Sequence, residues 1–319
     1  MLNFRLPGWG EERSWRLSRW LFLRAFGVLY AVAFLVLVRQ GPALIGSDGL
    51  LPAARYLKEA AGALGPGRFL AVPSLFWLGC SDAVLHGAAW LGLVLSLVVA
   101  AGWANAPMLA VLWLLYTSFV HVGQLFYGYG WEMMMVETGF LAVLLAPPWD
   151  ARPFSAEDAP PVPILWLLRW ELFRVMFGAG LIKLRGDACW RNLTCLDYHF
   201  ETQPIPNPLS WYFHHLPHGL LHGGVLVNHL AELAAPWLAM LTGPVGAAGG
   251  LVIAGFQGVL ILSGNLSWLN WLTLALCLPC FDDALLRRVL PAALTARFPA
   301  SQPPPDRSSW LWRARMGAV

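Results

Sequence analysis

Charged side chains are rare in this chain, and those that interrupt its apolar stretches are the first candidates for chemistry. An ionisable group at the centre of a membrane-spanning helix costs at least roughly 2.5 kcal/mol, so each needs a partner or a task. Arg169, Glu171, Arg174 and Lys183 all fall within one apolar run, 163–184. Glu171 and Arg174 are three apart and share a helix face, which reads as a structural ion pair. Lys183 ends the run, where burial could turn an ammonium into a usable base. With Glu137 and His229 it forms the candidate catalytic set. His229 and Glu232 lie three apart on one helical face. His121, Gln124, Glu132 and Glu232 are expected at the same depth, lining one polar pocket in the outer half of the molecule. The alternative is a ring of interfacial residues, each satisfied locally by headgroups and water.

A second concentration of reactive types lies in the connection 185–223, which mixes aromatics, prolines and histidines. Pro204, Pro206 and Pro208 stiffen it, because each fixes φ and removes a donor. Trp211, Tyr212 and Phe213 suit a membrane interface. Tyr198, His199, Glu201, Gln203, Asn207 and Trp211 are the candidate client-binding residues of this connection. Cys189 and Cys195 are close enough in sequence for a small-loop disulfide on an oxidising side, with two free thiols as the alternative. No metal site is expected, since the spacing of these cysteines with His199, His214, His215, His218 and His222 matches no standard zinc site. No cofactor is expected either. Asn192-Leu-Thr194 is a glycosylation sequon with meaning only in a eukaryotic lumen. Cys277-Leu-Pro-Cys280 has redox spacing but ends an apolar helix, which favours two buried core thiols.

The elements that must position these groups follow from composition. Of 319 residues, 58% are hydrophobic and only 12% charged, half the charge of an ordinary soluble domain. With a mean hydropathy of +0.57, this excludes a soluble enzyme and a disordered chain. The net charge of +3 argues against a nucleic-acid partner. Spans of about 20 apolar residues are expected near 18–38, 82–103, 106–126, 131–147, 163–184, 224–242, 245–264 and 266–281. The expected fold is all-α: a polytopic integral membrane helical bundle of about eight spans with one long extracytoplasmic connection.

Arg5, Arg13, Arg16 and Arg19 precede the first span, and Arg287, Arg288, Arg297, Arg307, Arg313 and Arg315 follow the last. Positive charge marks the cytoplasmic side, and eight spans place both basic ends there. Residues 1–17 are then a cytoplasmic N-terminal segment, 18–281 the membrane domain and 282–319 a short basic tail. The connections 39–81 and 185–223 face outward. The charged N-terminus and long first apolar run predict a span that also acts as targeting signal, without a cleavable leader. Only Lys58 and Lys183 among the 21 basic residues are lysines, which points to a GC-rich, bacterial genome. The location is a multipass inner-membrane protein in a bacterium, or the endoplasmic reticulum membrane in a eukaryote.

The stretch Phe173-Arg-Val-Met-Phe-Gly-Ala-Gly-Leu-Ile-Lys-Leu-Arg-Gly-Asp187, followed by Cys189-Trp-Arg-Asn-Leu-Thr-Cys195 and Tyr198-His-Phe-Glu-Thr-Gln-Pro-Ile-Pro-Asn-Pro-Leu-Ser-Trp-Tyr212, resembles the lipase maturation factor family. Gly49-Leu-Leu-Pro-Ala53, Pro73-Ser-Leu-Phe-Trp77, Glu137-Thr-Gly-Phe-Leu141 and Asn228-His-Leu-Ala-Glu-Leu233 are similar to its other blocks. The resemblance implies a multipass, chaperone-like membrane protein that assists folding or assembly of exported or secreted lipases, its partners being such clients and the lipid bilayer. Animal members continue into a sizeable soluble C-terminal domain, in place of which this sequence carries the basic tail. Phe177, Ala179-Gly180, Lys183-Leu184 and Asp187 are similar to a stretch of vitamin K-dependent gamma-carboxylase and related horizontally transferred transmembrane domains. That second resemblance implies a membrane enzyme using Lys183 as base on a quinone or exported substrate. An assembly factor without catalysis is the first expectation and the enzyme the alternative.

Overall fold

The computed structural model describes residues 13–154, 159–205 and 207–298, and every regular element among them is helical. Eight helical stretches coincide with the eight expected segments. By length and composition, three helices among the described residues can cross a membrane: Arg16–Ile45, Asp82–Ala101 and Gly243–Ser263. A bent pair, Leu269–Cys280 with Asp283–Val289 at 113°, would make a fourth. Among the described residues the protein is all-helical, with three to four such spans on this criterion. The described residues group into two compact units, 23–154 in one and 13–22 with 159–298 in the other.

In the unit 23–154, helix α1 (Arg16–Ile45) supplies Phe26, Tyr30 and Phe34 to an aromatic core. After the short helix α2 (Ala53–Leu64) come α3 (Asp82–Ala101), α4 (Ala106–Val122) and α5 (Gly130–Leu145). Ser81 caps α3 and Asn105 caps α4, each side chain accepting from a backbone N–H of the first turn, which satisfies donors that would otherwise have no partner. Tyr116 of α4 meets Tyr30 edge-on at 5.6 Å and Phe34 at 5.8 Å between ring centres. A Cβ on Gly27 would lie 2.6 Å from the backbone nitrogen of Ala100, so glycine lets α1 and α3 touch backbone to backbone.

The other unit is built on α6 (Val162–Arg185), the short helices α7 (Ala188–Arg191), α8 (Leu196–His199) and α9 (Ser210–His214), then α10 (His218–His229). A π-turn, Leu230–Ala234, joins α10 to α11 (Ala235–Ala239). Helices α12 (Gly243–Ser263), α13 (Leu269–Cys277) and α14 (Asp283–Val289) complete it. Asp283 accepts from the backbone N–H groups of Arg16 at 3.1 Å and Leu17 at 2.9 Å and from the Ser14 hydroxyl. A carboxylate remote in sequence thus caps the start of α1, where the helix dipole favours it. Arg13 pairs with Asp282 at 2.6 Å. Residues 282–298 therefore pack on residues 13–20 at the start of α1, in place of the free tail expected after 281. Residues 299–319 lie outside the described residues.

Candidate functional site

Lys183 stands in the last turn of α6, facing α10 and the π-turn. Its ammonium donates to Asn228 Oδ1 and to Glu232 Oε1, both at 2.6 Å, while Asn228 Nδ2 donates to Glu232 Oε2 at 3.0 Å. Asn228 and Glu232 are one helical turn apart, so both reach the same cation. The Trp190 ring lies 4.8 Å from the ammonium, close enough for a cation–π contact. Gly180 allows the approach: a Cβ there would meet Leu233 at 2.6 Å and Glu232 Cβ at 3.1 Å. His229, expected beside Glu232, instead donates from Nε2 to the Trp190 carbonyl at 3.0 Å, and its buried Nδ1 has no hydrogen-bond partner among the described residues. The charge of Lys183 is thus spent on Glu232, and the cluster joins α6, α7 and α10.

Arg169, wholly buried, donates to the carbonyls of Pro279, Ala239 and Leu241. It satisfies chain ends that a lipid environment would leave without donors. Sequence reasoning placed Arg169 in an Arg/Glu ion-pair set, because carbonyl partners 70 to 110 residues away leave no local signal.

The remaining members of the expected pocket belong to the unit 23–154. Glu132 is buried and accepts a hydrogen bond from the Tyr116 hydroxyl. His121 donates from Nδ1 to the Thr117 carbonyl at 2.8 Å. Gln124, in the left-handed conformation with φ 52°, donates to the Leu51 carbonyl at 3.0 Å and ties the turn before α5 to the turn before α2. Glu137 is exposed on α5. Each unit brings together its own polar group: Lys183, Asn228 and Glu232 in one, Glu132 and Tyr116 in the other.

The connection 185–223 is fastened at several points. Cys189 and Cys195 are joined by a disulfide, with Cα atoms 4.7 Å apart. Gln203 donates to the Ser263 carbonyl at 3.0 Å, Asn207 to the Ile261 carbonyl at 3.1 Å and the Ser210 hydroxyl to Ser263 at 2.8 Å. These are the last carbonyls of α12, which have no intrahelical donor. Gln203 and Asn207, expected to face a client, therefore hold the connection down. His199 packs edge-on between Trp190 and Phe200, and burial, then the Lys183 cation, depress its pKa below the ordinary imidazole value. Trp211 and Tyr212 are 62% and 63% exposed and Tyr198 is 42% exposed, with Glu201 also facing outward. Asp197, which no sequence rule singled out, sits between His218 and His222, and the hydrogen bond from His218 foremost holds it below the usual carboxylate range. Cys277 and Cys280 are buried free thiols.

The family model described as the Lipase maturation factor transmembrane domain matches residues 17–288. Lipase maturation factor 1 of Bos taurus is 43% identical over 304 residues, which cover 90% of this chain and 54% of that protein. The Mus musculus protein of the same name is 44% identical over 284 residues, or 86% of this chain and 50% of its own length. Lipase maturation factor 2 of Xenopus laevis is 35% identical over 289 residues, covering 84% of this chain and 39% of that protein. The chain thus spans about half the length of the first of these relatives. No solved structure matches it. Matching across nearly all of its described helices, from the capped start of α1 through the Lys183 cluster to α14, the chain belongs to the lipase maturation factor family.

Proposed function

We propose that this protein is a chaperone-like membrane factor that presents the connection 185–223 to exported lipase-like clients. One observation carries the reading: the connection is anchored from below yet exposes aromatic surface. The disulfide and the contacts of Gln203, Asn207 and Ser210 with the end of α12 fix its backbone, while Trp211 and Tyr212 remain more than half exposed. Rigid, exposed aromatics bind with little loss of side-chain entropy. Tyr198 and Glu201 extend the same surface. The name of the relatives, lipase maturation factor, supplies the client class.

The test is co-expression of an exported lipase with the wild type or with Trp211→Ala/Tyr212→Ala. The double variant is expected to lower the yield of active lipase at least about tenfold, the scale of losing two interface anchors, while the factor itself accumulates normally. Unchanged lipase yield would remove the reading. Lys183→Ala belongs in the same assay as the arm for the enzymatic alternative. Glu232 and Asn228 hold the Lys183 ammonium, which favours a latch over a base. Loss of lipase yield is then expected to track loss of folded factor.

A further inference from the structure

Asp197, His218 and His222 form a cluster that the reading above does not use. His218 opens α10 directly after Pro217, and His222 follows one turn later, so both rings project from one face. Asp197 comes from α8, which begins immediately after Cys195 of the disulfide. Asp197 Oδ1 lies 3.0 Å from His218 Nδ1, and Oδ2 lies 3.4 Å from His222 Nε2. All three candidate ligand atoms fall within 4.8 Å of one another. A tetrahedral zinc ion with bonds of about 2.0–2.2 Å holds its ligands roughly 3.3 Å apart. With Oδ2 as the ligand oxygen, its distance to His222 already matches that spacing. The other two sides both involve His218, whose side chain is 83% exposed and able to turn toward them.

We propose that these three residues bind one divalent ion of the zinc class. Two imidazole donors disfavour calcium and magnesium, which take oxygen ligands. Cys189 and Cys195 are spent on each other, so the first coordination sphere is two nitrogens and a carboxylate oxygen. The fourth position stays open to water or to a side chain brought by a partner. Bound there, the ion links α8 to the first turn of α10 and closes the segment 197–218, which carries Tyr198, Glu201 and Trp211. It does in metal what the hydrogen bonds from His218 and His222 do without it, and it stands whether or not that segment binds lipases.

The experiment uses the full chain in detergent, disulfide intact and purified without a histidine tag. Zn2+ is titrated against a chromophoric chelator, and Co2+ is added separately to read the visible d–d bands of tetrahedral coordination. One equivalent of Zn2+ is expected, with tetrahedral cobalt bands and a rise in Tm. Loss of an outer-shell partner alone costs about tenfold in affinity or more. The ligand changes Asp197→Asn and His218→Gln/His222→Gln are each expected to cost at least that and to abolish the bands. His214→Gln/His215→Gln is expected to retain both. Because His218 is so exposed, His218→Gln alone reports even if Asp197→Asn does not fold. Absence of stoichiometric uptake would overturn the site, as would uptake indifferent to His218→Gln or lost equally in His214→Gln/His215→Gln.

Discussion

Lys183 and Glu232 show what a charged pair buys in an apolar surrounding, and what it costs to break. The Glu232 side chain is 4% exposed and that of Lys183 23%, so removing either charge strands the other. Lys183→Met is expected to destabilise the protein by about 3–5 kcal/mol, read as the thermal midpoint in detergent. Lys183→Met/Glu232→Gln should cost less than either single change, because it leaves no orphaned charge. A double variant as damaged as the sum of the singles would show that the pair is not coupled. The prohibitive cost of ionisable groups in apolar runs was enough to single out both residues in the sequence. Their pairing was not legible, since both i+3 and i+4 neighbours share a helical face. The choice between His229 and Asn228 as companion of Glu232 is made by the Trp190 carbonyl, which takes His229. His199 adds a pH dependence. Its pKa is lower folded than unfolded, so its contribution is complete above the unfolded value of about 6.5 and is lost as pH falls toward the folded value. Acidification from about pH 7.5 to 5.5 should therefore lower the midpoint of the wild type more than that of His199→Phe. Equal slopes would mean that His199 is not the group responsible.

At the scale of elements, close helix approach is written in glycines, but only coordinates tell which glycines matter. Gly249 of α12 faces α11: a Cβ there would lie 2.4 Å from the Ala239 nitrogen and 2.8 Å from the Ala235 oxygen. Both are backbone atoms and cannot rotate away, so Gly249→Ala must push the helices apart, at a cost of about 1–3 kcal/mol. Gly255, on the same helix, has open space where its Cβ would be, and Gly255→Ala should raise stability by up to about 1 kcal/mol. Opposite signs in paired thermal melts are the expected result; a neutral Gly249→Ala would deny the contact. The sequence offered α12 as an apolar run with six glycines and nothing to rank them. The disulfide was legible as an option, because its cysteines are only six positions apart. Opening so small a loop by Cys189→Ser/Cys195→Ser should cost about 2 kcal/mol on chain-entropy grounds. The fastening of the connection to the end of α12 was not legible. Gln203 and Asn207 read as free polar groups until the carbonyls of Ile261 and Ser263 supply their acceptors.

For the whole molecule, helical segmentation was legible because runs of apolar residues must bury their backbone polarity in helices when they enter lipid. Which helices cross is a separate matter, and charge confuses it. Helix α6 has 24 residues, about 36 Å at 1.5 Å per residue, long enough to span. Its charges keep it from passing on composition, yet Arg169 is answered by three carbonyls and Lys183 by Glu232 and Asn228. Partnered charges of this kind do not pay the full cost of entering a bilayer. Four spans and eight spans both return the C-terminus to the side of the N-terminus, so fusing reporters to the ends cannot separate them. The connection 185–223 can. Four spans, made from α1, α3, α12 and the bent pair, leave it on the same side as the basic ends, where a reducing cytoplasm would oppose the Cys189–Cys195 disulfide. Eight spans place it on the oxidising side. Glu201→Cys in a Cys80→Ser background gives a single exposed thiol in that connection, because Cys277 and Cys280 are buried. With the protein expressed in a bacterial inner membrane, a membrane-impermeant maleimide applied to whole cells is expected to label it without permeabilisation of that membrane, and a thiol introduced near the basic N-terminus only after it. Labelling of Glu201→Cys that required permeabilisation would put the disulfide, the exposed aromatics and the histidine cluster in the cytoplasm, beyond the reach of any exported client.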